Sequence, residues 1–350
     1  MMLSIGWYAY RRTRSFDGYM LAERGLSAVV AALSANAADM SAWLLMGLPG
    51  AIYASGLYES WIAIGLTTGA WLNWRFVAPR LRAYSETAEN SITIPSFLAN
   101  RHGEGGRPLR IAAALAILVF FTFYVSSGMV AAGKFFEASF GLHYLVGMLI
   151  VAAITLVYTA FGGFLGATLT DVAQGLLMLA ALICVPVVAL VDLGGFGPAA
   201  DAMRAINPDA LNLFAGWHDK GPLLWIIGVI STAAWGLGYF GQPHIIVRFM
   251  ALRSPREATV ARRISFLWMV ATAFGAISTA LIAIGYIGRH PEFTLSDPET
   301  VFLTMSRIFL HPFVAGFILV VAVLVSRRTW RPNPEIDAQF DAMEKALSRR

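Results

Sequence analysis

The sequence predicts an all-α integral membrane protein, on three observations. Only 13% of its 350 residues are charged and 57% are hydrophobic, whereas a soluble domain carries about 25% charge. Apolar windows of ~20 residues, enough to cross a bilayer, recur along the chain. The arginines between them alternate from loop to loop, as the positive-inside rule requires of a multi-pass protein.

The windows fall near residues 26–48, 55–78, 111–137, 144–164, 171–192, 222–250, 264–288 and 301–326. That makes about eight transmembrane helices, preceded by the apolar stub MMLSIGWYAY. The stub is too short to cross, and its arginines follow it instead of preceding it as in a signal peptide. Arg75, Arg80, Arg82, Arg101, Arg107 and Arg110 crowd one loop, and Arg248, Arg253, Arg256, Arg262 and Arg263 another. With Arg11, Arg12, Arg14 and Arg24 before the first full span and Arg327, Arg328 and Arg331 after the last, they put both ends in the cytoplasm. The opposite loops hold little positive charge: Lys134, Arg204, Lys220 and Arg289. Residues 1–331 therefore read as one transmembrane domain in the cytoplasmic (inner) membrane. Residues 332–350 return to soluble composition and read as a cytoplasmic tail with a short amphipathic helix.

Several function classes drop out. The net charge of +5 comes from these loop arginines, so no nucleic-acid surface is implied. The single cysteine, Cys184, excludes a disulfide framework and a Cys-based metal site. The six histidines have no ligand spacing, so no transition-metal site is expected. A membrane-embedded enzyme needs a catalytic pair, and the order of residues offers none.

Two spans break the apolar pattern. In SANAADMSAW, residues 34–43, Asn36 and Asp39 sit inside the first full span. An acid there costs about 2.5–3.5 kcal/mol on insertion scales. At helical spacing Asn36, Asp39 or Met40, and Trp43 share a face, and Ala32, Ala35, Ala38 and Ala42 let neighbouring helices approach. The carboxylate either accepts bonds that fix helix packing or faces an ion or substrate pathway. The sixth span carries STAAWGLGYFGQPH, residues 231–244, where Gly236, Gly238, Gly241 and Pro243 oppose a continuous helix. Trp235 and Tyr239, four apart, would share a face. The first span ends in a weaker version of this disturbance, from Met46 through Pro49 to Gly50.

Interrupted spans in first and sixth place are the pattern of inverted-repeat transporters, whose substrate and ions bind at the midplane between the broken helices. The residues alone thus point to a secondary transporter. Tyr124, beside Ser126 and Ser127, could reach a central cavity or simply pack. Asp171 follows Thr168 and Thr170 at the start of the fifth span, where an acid suits the helix dipole.

On the stretches SFDGYMLAERGLS, DMSAWLLMGLPGA, ESWIAIGL, LVFFTFYVSSG, YTAFGGFLGATLTD and WGLGYFGQPHIIVRFMA, the sequence resembles the sodium/proline symporters of the sodium:solute symporter family. The resemblance runs from about residue 11 to about 319. It implies a LeuT-type inverted-repeat fold, with a first repeat about 26–192 and a partial second repeat about 222–326, and inward transport of L-proline driven by Na⁺. Na⁺ would be the coupling ion, with no organic cofactor. The resemblance ties Asp39 to Na⁺ coupling and places the sodium ion at the carbonyls of Ala37 and Met40. It links Asp171 to Na⁺ dependence, and Ser41, Trp43, Tyr124, Trp235, Tyr239 and Pro243 to proline binding or gating. It assigns Arg24 and Arg101 to cytoplasmic gating. Ala42 stands where the family has glycine.

The end of the chain departs from that pattern. The helix after Pro312 should carry an adjacent Ser-Thr pair that completes the sodium site, and Arg328-Thr329 stands near where it is expected. An arginine would repel Na⁺ there. The chain therefore reads as lacking the last two helices of the second repeat, the family's terminal spans and most of its first span. Two functions stay open on the sequence: sodium-coupled proline uptake, or a non-transporting, sensor-like or inactive membrane protein built from the same helices.

Overall fold

The computed structural model describes residues 1–310 apart from Leu142, residues 217–220, Pro291, Thr294 and Ser296; for Glu104 and Ser139 it describes the backbone alone. The expected tail 332–350, most of the expected last span and Arg328 lie outside the described residues. Among the described residues the chain is helical, and its one β-type contact is a parallel bridge between Leu26 and Leu252.

Two short helices, α1 (Met2–Arg12) and α2 (Phe16–Leu21), lead in. The expected stub is thus a helix, and it lies on α9 (Tyr144–Asp192) because small residues meet there. A Cβ added at Gly6 would stand 2.9 Å from the Tyr158 Cβ.

The first full span is broken. Helix α3 (Ala28–Met40) starts on Ser27, whose side chain accepts the Val30 N–H. It stops at Ser41, whose φ of 34° and ψ of −138° leave helical space. A 3-10 turn (Ser41–Leu44) leads to α4 (Gly47–Ser55), and the two halves are bent by 46°. The break lies earlier than the Gly-Pro stretch suggests. Pro49 is the third residue of α4, where a main-chain N–H has no helical partner to lose.

Next come α5 (Trp61–Phe76), α6 (Ala78–Thr87), α7 (Ile94–His102) and α8 (Gly106–Phe140). Helix α9 replaces both the fourth and fifth expected spans. A straight helix of its 49 residues would be about 74 Å long, more than two hydrocarbon cores. It is interrupted at Gly163 (φ 57°, ψ −154°), a conformation that glycine alone adopts easily. The gap expected between the windows 144–164 and 171–192 is therefore a single-residue break, with helix resuming at once. After α10 (Phe196–Ile206), the sixth span is α11 (Pro222–Ala233), a 3-10 stretch (Ala234–Phe240) and α12 (Pro243–Met250). Its break is where the glycines and proline put it. Helices α13 (Glu257–Arg289) and α14 (Val301–Phe309) complete the described fold.

Among the described residues, four helices are long and apolar enough to cross a membrane: α8, α9, α11 with its 3-10 extension, and α13. The bent pair α3–α4 makes a fifth. On α8, Leu118, Phe120 and Phe123 face outward, which suits lipid as solvent. The buried centre is made by the small faces of α3 (Ala31, Ala32, Ala35) and α13 (Ala276, Ala280, Ala283), which let the backbones approach closely. The two broken spans lie side by side there, with α12 against α3 and α5 against the 3-10 stretch of the sixth span.

Candidate functional site

The two breaks meet. Tyr239, in the 3-10 stretch, donates its hydroxyl hydrogen to Asp39 Oδ2 at the end of α3. Trp43 and Trp235 stack across the same junction, with centroids 6.1 Å apart and planes 25° apart. From the side, α8 sends in Tyr124, whose hydroxyl donates to the Ala38 carbonyl at 2.7 Å. The Tyr124 ring stacks on His244, 4.9 Å away, in the first turn of α12. A carboxylate, four aromatic rings, the His244 imidazole and an opened helix end thus converge from the broken first span, α8 and the sixth span.

Each of these placements follows from the local chain. The last carbonyls of a helix have no helical donor. The Ala37 carbonyl takes the Ser41 N–H, and Ala38 takes the Tyr124 hydroxyl. Ala37 and Met40 are buried, and Ser41 is exposed at the break. Pro243 opens α12, where its missing N–H is tolerated. Asn36 does not face the junction with Asp39 and Trp43. Its amide exchanges two hydrogen bonds with Ser265 of α13, at 2.9 and 2.7 Å, and serves packing.

Two expectations are corrected. Trp235 and Tyr239 do not share a face, because a 3-10 helix turns roughly 120° per residue and puts positions four apart on different sides. Trp235 is 56% exposed and lies on Trp43, while Tyr239 is 2% exposed and reaches Asp39. Asp171 does not open a helix either, since it lies two turns beyond the Gly163 break. Its carboxylate meets Arg248 of α12 at 2.5 Å and accepts the Ser34 hydroxyl at 2.7 Å. Arg248 also donates to Ser34 Oγ and to the His244 carbonyl. Sequence reasoning counted Arg248 with the loop arginines and missed Ser34. The signal for Arg248 was its place inside HIIVRFMAL, flanked on both sides by apolar residues.

The expected gating arginines lie together at the far end, against neighbouring residues of α6. Arg24 donates to the Ser85 hydroxyl (2.9 Å), Asn90 Oδ1 (3.0 Å) and the carbonyls of Met250 (2.8 Å) and Ser91 (2.9 Å). Burial, with Arg82 close by, lowers its pKa from the usual arginine value. Arg101 is exposed and lies over the Tyr84 ring at 5.4 Å. Beside Arg24, the Leu26 N–H donates to the Ala251 carbonyl and the Arg253 N–H to the Leu26 carbonyl. Among the described residues no three His, Cys, Asp or Glu side chains form a metal cluster.

Comparison with known proteins fits this geometry. A model of the sodium:solute symporter family matches residues 19–326. The chain is 50% identical over 327 residues to the high-affinity proline transporter PutP of Bacillus subtilis, covering 93% of this chain and 67% of that protein. It is 47% identical to the osmoregulated proline transporter OpuE of the same organism, and 45% identical to a sodium/proline symporter of Staphylococcus aureus, covering 65% and 62% of their lengths. The chain thus spans about two thirds of the length of these relatives. A Na⁺-coupled sialic acid symporter, solved in a substrate-bound outward-open state, superposes with a TM-score of 0.74 over 92% of this chain and 67% of that one, at 16% identity. That likeness fixes the architecture as the LeuT-type inverted-repeat fold of a multi-pass membrane protein. The paired broken spans, their shared site and the family model agree: the chain belongs to the sodium:solute symporter family.

Proposed function

We propose that this chain carries out sodium-coupled uptake of L-proline across the cytoplasmic membrane, as a carrier and not as an enzyme. The observation that carries the reading is the bond from Tyr239 to Asp39, which ties the unwound parts of both broken spans to one carboxylate. Relatives of 45–50% identity bear the names of proline transporters.

In this reading Na⁺ is held by the carbonyls of Ala37 and Met40 beside Asp39, whose negative charge offsets the cost of stripping water from the ion. Proline lies against Trp43, Tyr124, Trp235 and Tyr239, with Ser41 and Pro243 shaping the opened backbone. Because Tyr239 binds the carboxylate and belongs to the same 3-10 stretch as Trp235, Na⁺ at Asp39 sets the shape of the proline pocket. The coupling is reciprocal, so proline tightens Na⁺ by the same factor. Asp171 supports Na⁺ dependence through its pairing with Arg248. Arg24 and Arg101 close the end that the arginine pattern puts in the cytoplasm, along with the tail. The repeats 26–192 and 222–326 form the two halves that move around the site.

Uptake of radiolabelled proline into proteoliposomes, with and without an inward Na⁺ gradient, tests the reading. Uptake should require the gradient and vanish in Asp39→Ala. Proline binding without uptake, lost in Asp39→Ala, would favour the non-transporting, sensor-like alternative.

A further inference from the structure

Pro243 has no main-chain N–H. Four residues upstream, the Tyr239 carbonyl therefore cannot receive the bond that a continuous helix would give it. The side chain of Asn73 fills the gap: its Nδ2 donates to the Tyr239 carbonyl oxygen at 2.6 Å. Asn73 is fully buried on α5, on one face with Gly65 and Gly69 at spacings of four. Those glycines bring α5 against the opened backbone. A Cβ at Gly69 would stand 2.1 Å from the Gly236 carbonyl oxygen, and one at Gly65 2.2 Å from that of Ala233.

The orientation of the amide is forced, because a carbonyl accepts and only the NH₂ end can face it. Asn73 Oδ1 is then left buried with no hydrogen-bond partner among the described residues. An unpaired buried acceptor is costly, so packing alone would favour an apolar residue here. What the asparagine provides is the donor to Tyr239.

We propose that Asn73 is a positioning residue: its amide supplies the donor that Pro243 lacks, fixes the Tyr239 backbone and thereby holds the Tyr239 hydroxyl on Asp39. The inference rests on the sodium–proline reading only for its ligand measurement. Asn73→Asp keeps the shape and removes the donor; Asn73→Leu removes all polarity. In the purified full chain without ligand, amide exchange over residues 234–241 should quicken roughly tenfold in both variants, as expected for one lost hydrogen bond. Exchange in α3 and α9 should stay as in the parent. Proline binding titrated with Na⁺ should need roughly tenfold more Na⁺ in Asn73→Asp. In a Tyr239→Phe background the same change should add less than about twofold, because Asn73 acts through Tyr239. Unchanged exchange over 234–241, loss of protection throughout the protein in both variants, or full additivity with Tyr239→Phe would each overturn the proposal. A parent chain that binds no proline at any Na⁺ concentration would overturn the sodium–proline reading instead, and exchange alone would then decide the role of Asn73.

Discussion

Arg248 and Asp171 are 77 residues apart in the sequence and 2.5 Å apart in the fold, with side chains only 8% and 17% exposed. Ser34 bonds to both, so α3, α9 and α12 are joined at one buried point. Removing one partner of such a pair leaves an uncompensated charge and costs about 3–5 kcal/mol, whereas neutralising both costs much less. Asp171→Asn and Arg248→Met should each lower the thermal midpoint in detergent clearly. The double variant Asp171→Asn/Arg248→Met should lose much less than their sum. Additive losses would show that the two charges do not stabilise each other.

The parts of the fold legible in the sequence were those with a local cause. The sixth span breaks where Gly236, Gly238, Gly241 and Pro243 leave the helix without support, and Asp39 was visible as an acid too expensive to be idle. Partners were not legible. Nothing near Asp39 names Tyr239, 200 residues away, and nothing near Asp171 names Arg248. Winding misled as well: reading Trp235 and Tyr239 at 3.6 residues per turn put them on one face, and the 3-10 stretch separates them. At Ser41 the break comes from a left-handed φ that no glycine or proline announces.

The Tyr239 hydroxyl joins the 3-10 stretch of the sixth span directly to the Asp39 carboxylate, and this sets a second expectation. Tyr239→Phe keeps the ring, which is nearly fully buried, and removes only the donor to Asp39. Hydrogen bonds to charged groups contribute about 1.5–3 kcal/mol, so the Na⁺ needed for half-maximal proline uptake should rise by ten- to a hundredfold. Proline affinity at saturating Na⁺ should move less, because the ring remains. Equal shifts in both would place Tyr239 in the proline pocket alone.

Arg24 carries a third. Ala22, Glu23 and Arg24 all have φ between 50° and 54°, a left-handed run that costs free energy at non-glycine residues. The guanidinium offsets this by reaching residues 85, 90, 91 and 250 at once. A lysine has the charge but not the planar fork. Arg24→Lys should therefore raise amide exchange over residues 22–26 and 88–91 without lowering exchange protection in α9. Exchange equal to that of the parent would show that charge alone suffices.

At the other end, Lys134 of α8 binds Asp297 at 2.9 Å and Glu299 at 2.8 Å, just before α14. The segment also lies on α4: a Cβ at Gly50 would stand 2.9 Å from the Glu299 Cα. The outer half of the broken first span is thus held under a strap that Lys134 fastens to α8. The Lys134 hydrogen bond keeps the Asp297 pKa below the usual carboxylate value. A carboxylate lowered in the fold stabilises it fully above its unfolded pKa, and that contribution fades as pH falls through the lowered one. All three side chains are more than a third exposed, so salt screens them strongly. In the parent, amide exchange over residues 47–55 should quicken as ionic strength rises toward about 1 M, where the Debye length is only ~3 Å. Corrected for the intrinsic slowing of amide exchange in acid, protection over the same residues should also fall as pH drops below about 4, where free carboxylates take up protons. Lys134→Met should show the faster exchange from the outset and respond to neither change. A variant that stays as sensitive to salt as the parent would show that the strap is held by packing on Gly50 and not by the lysine.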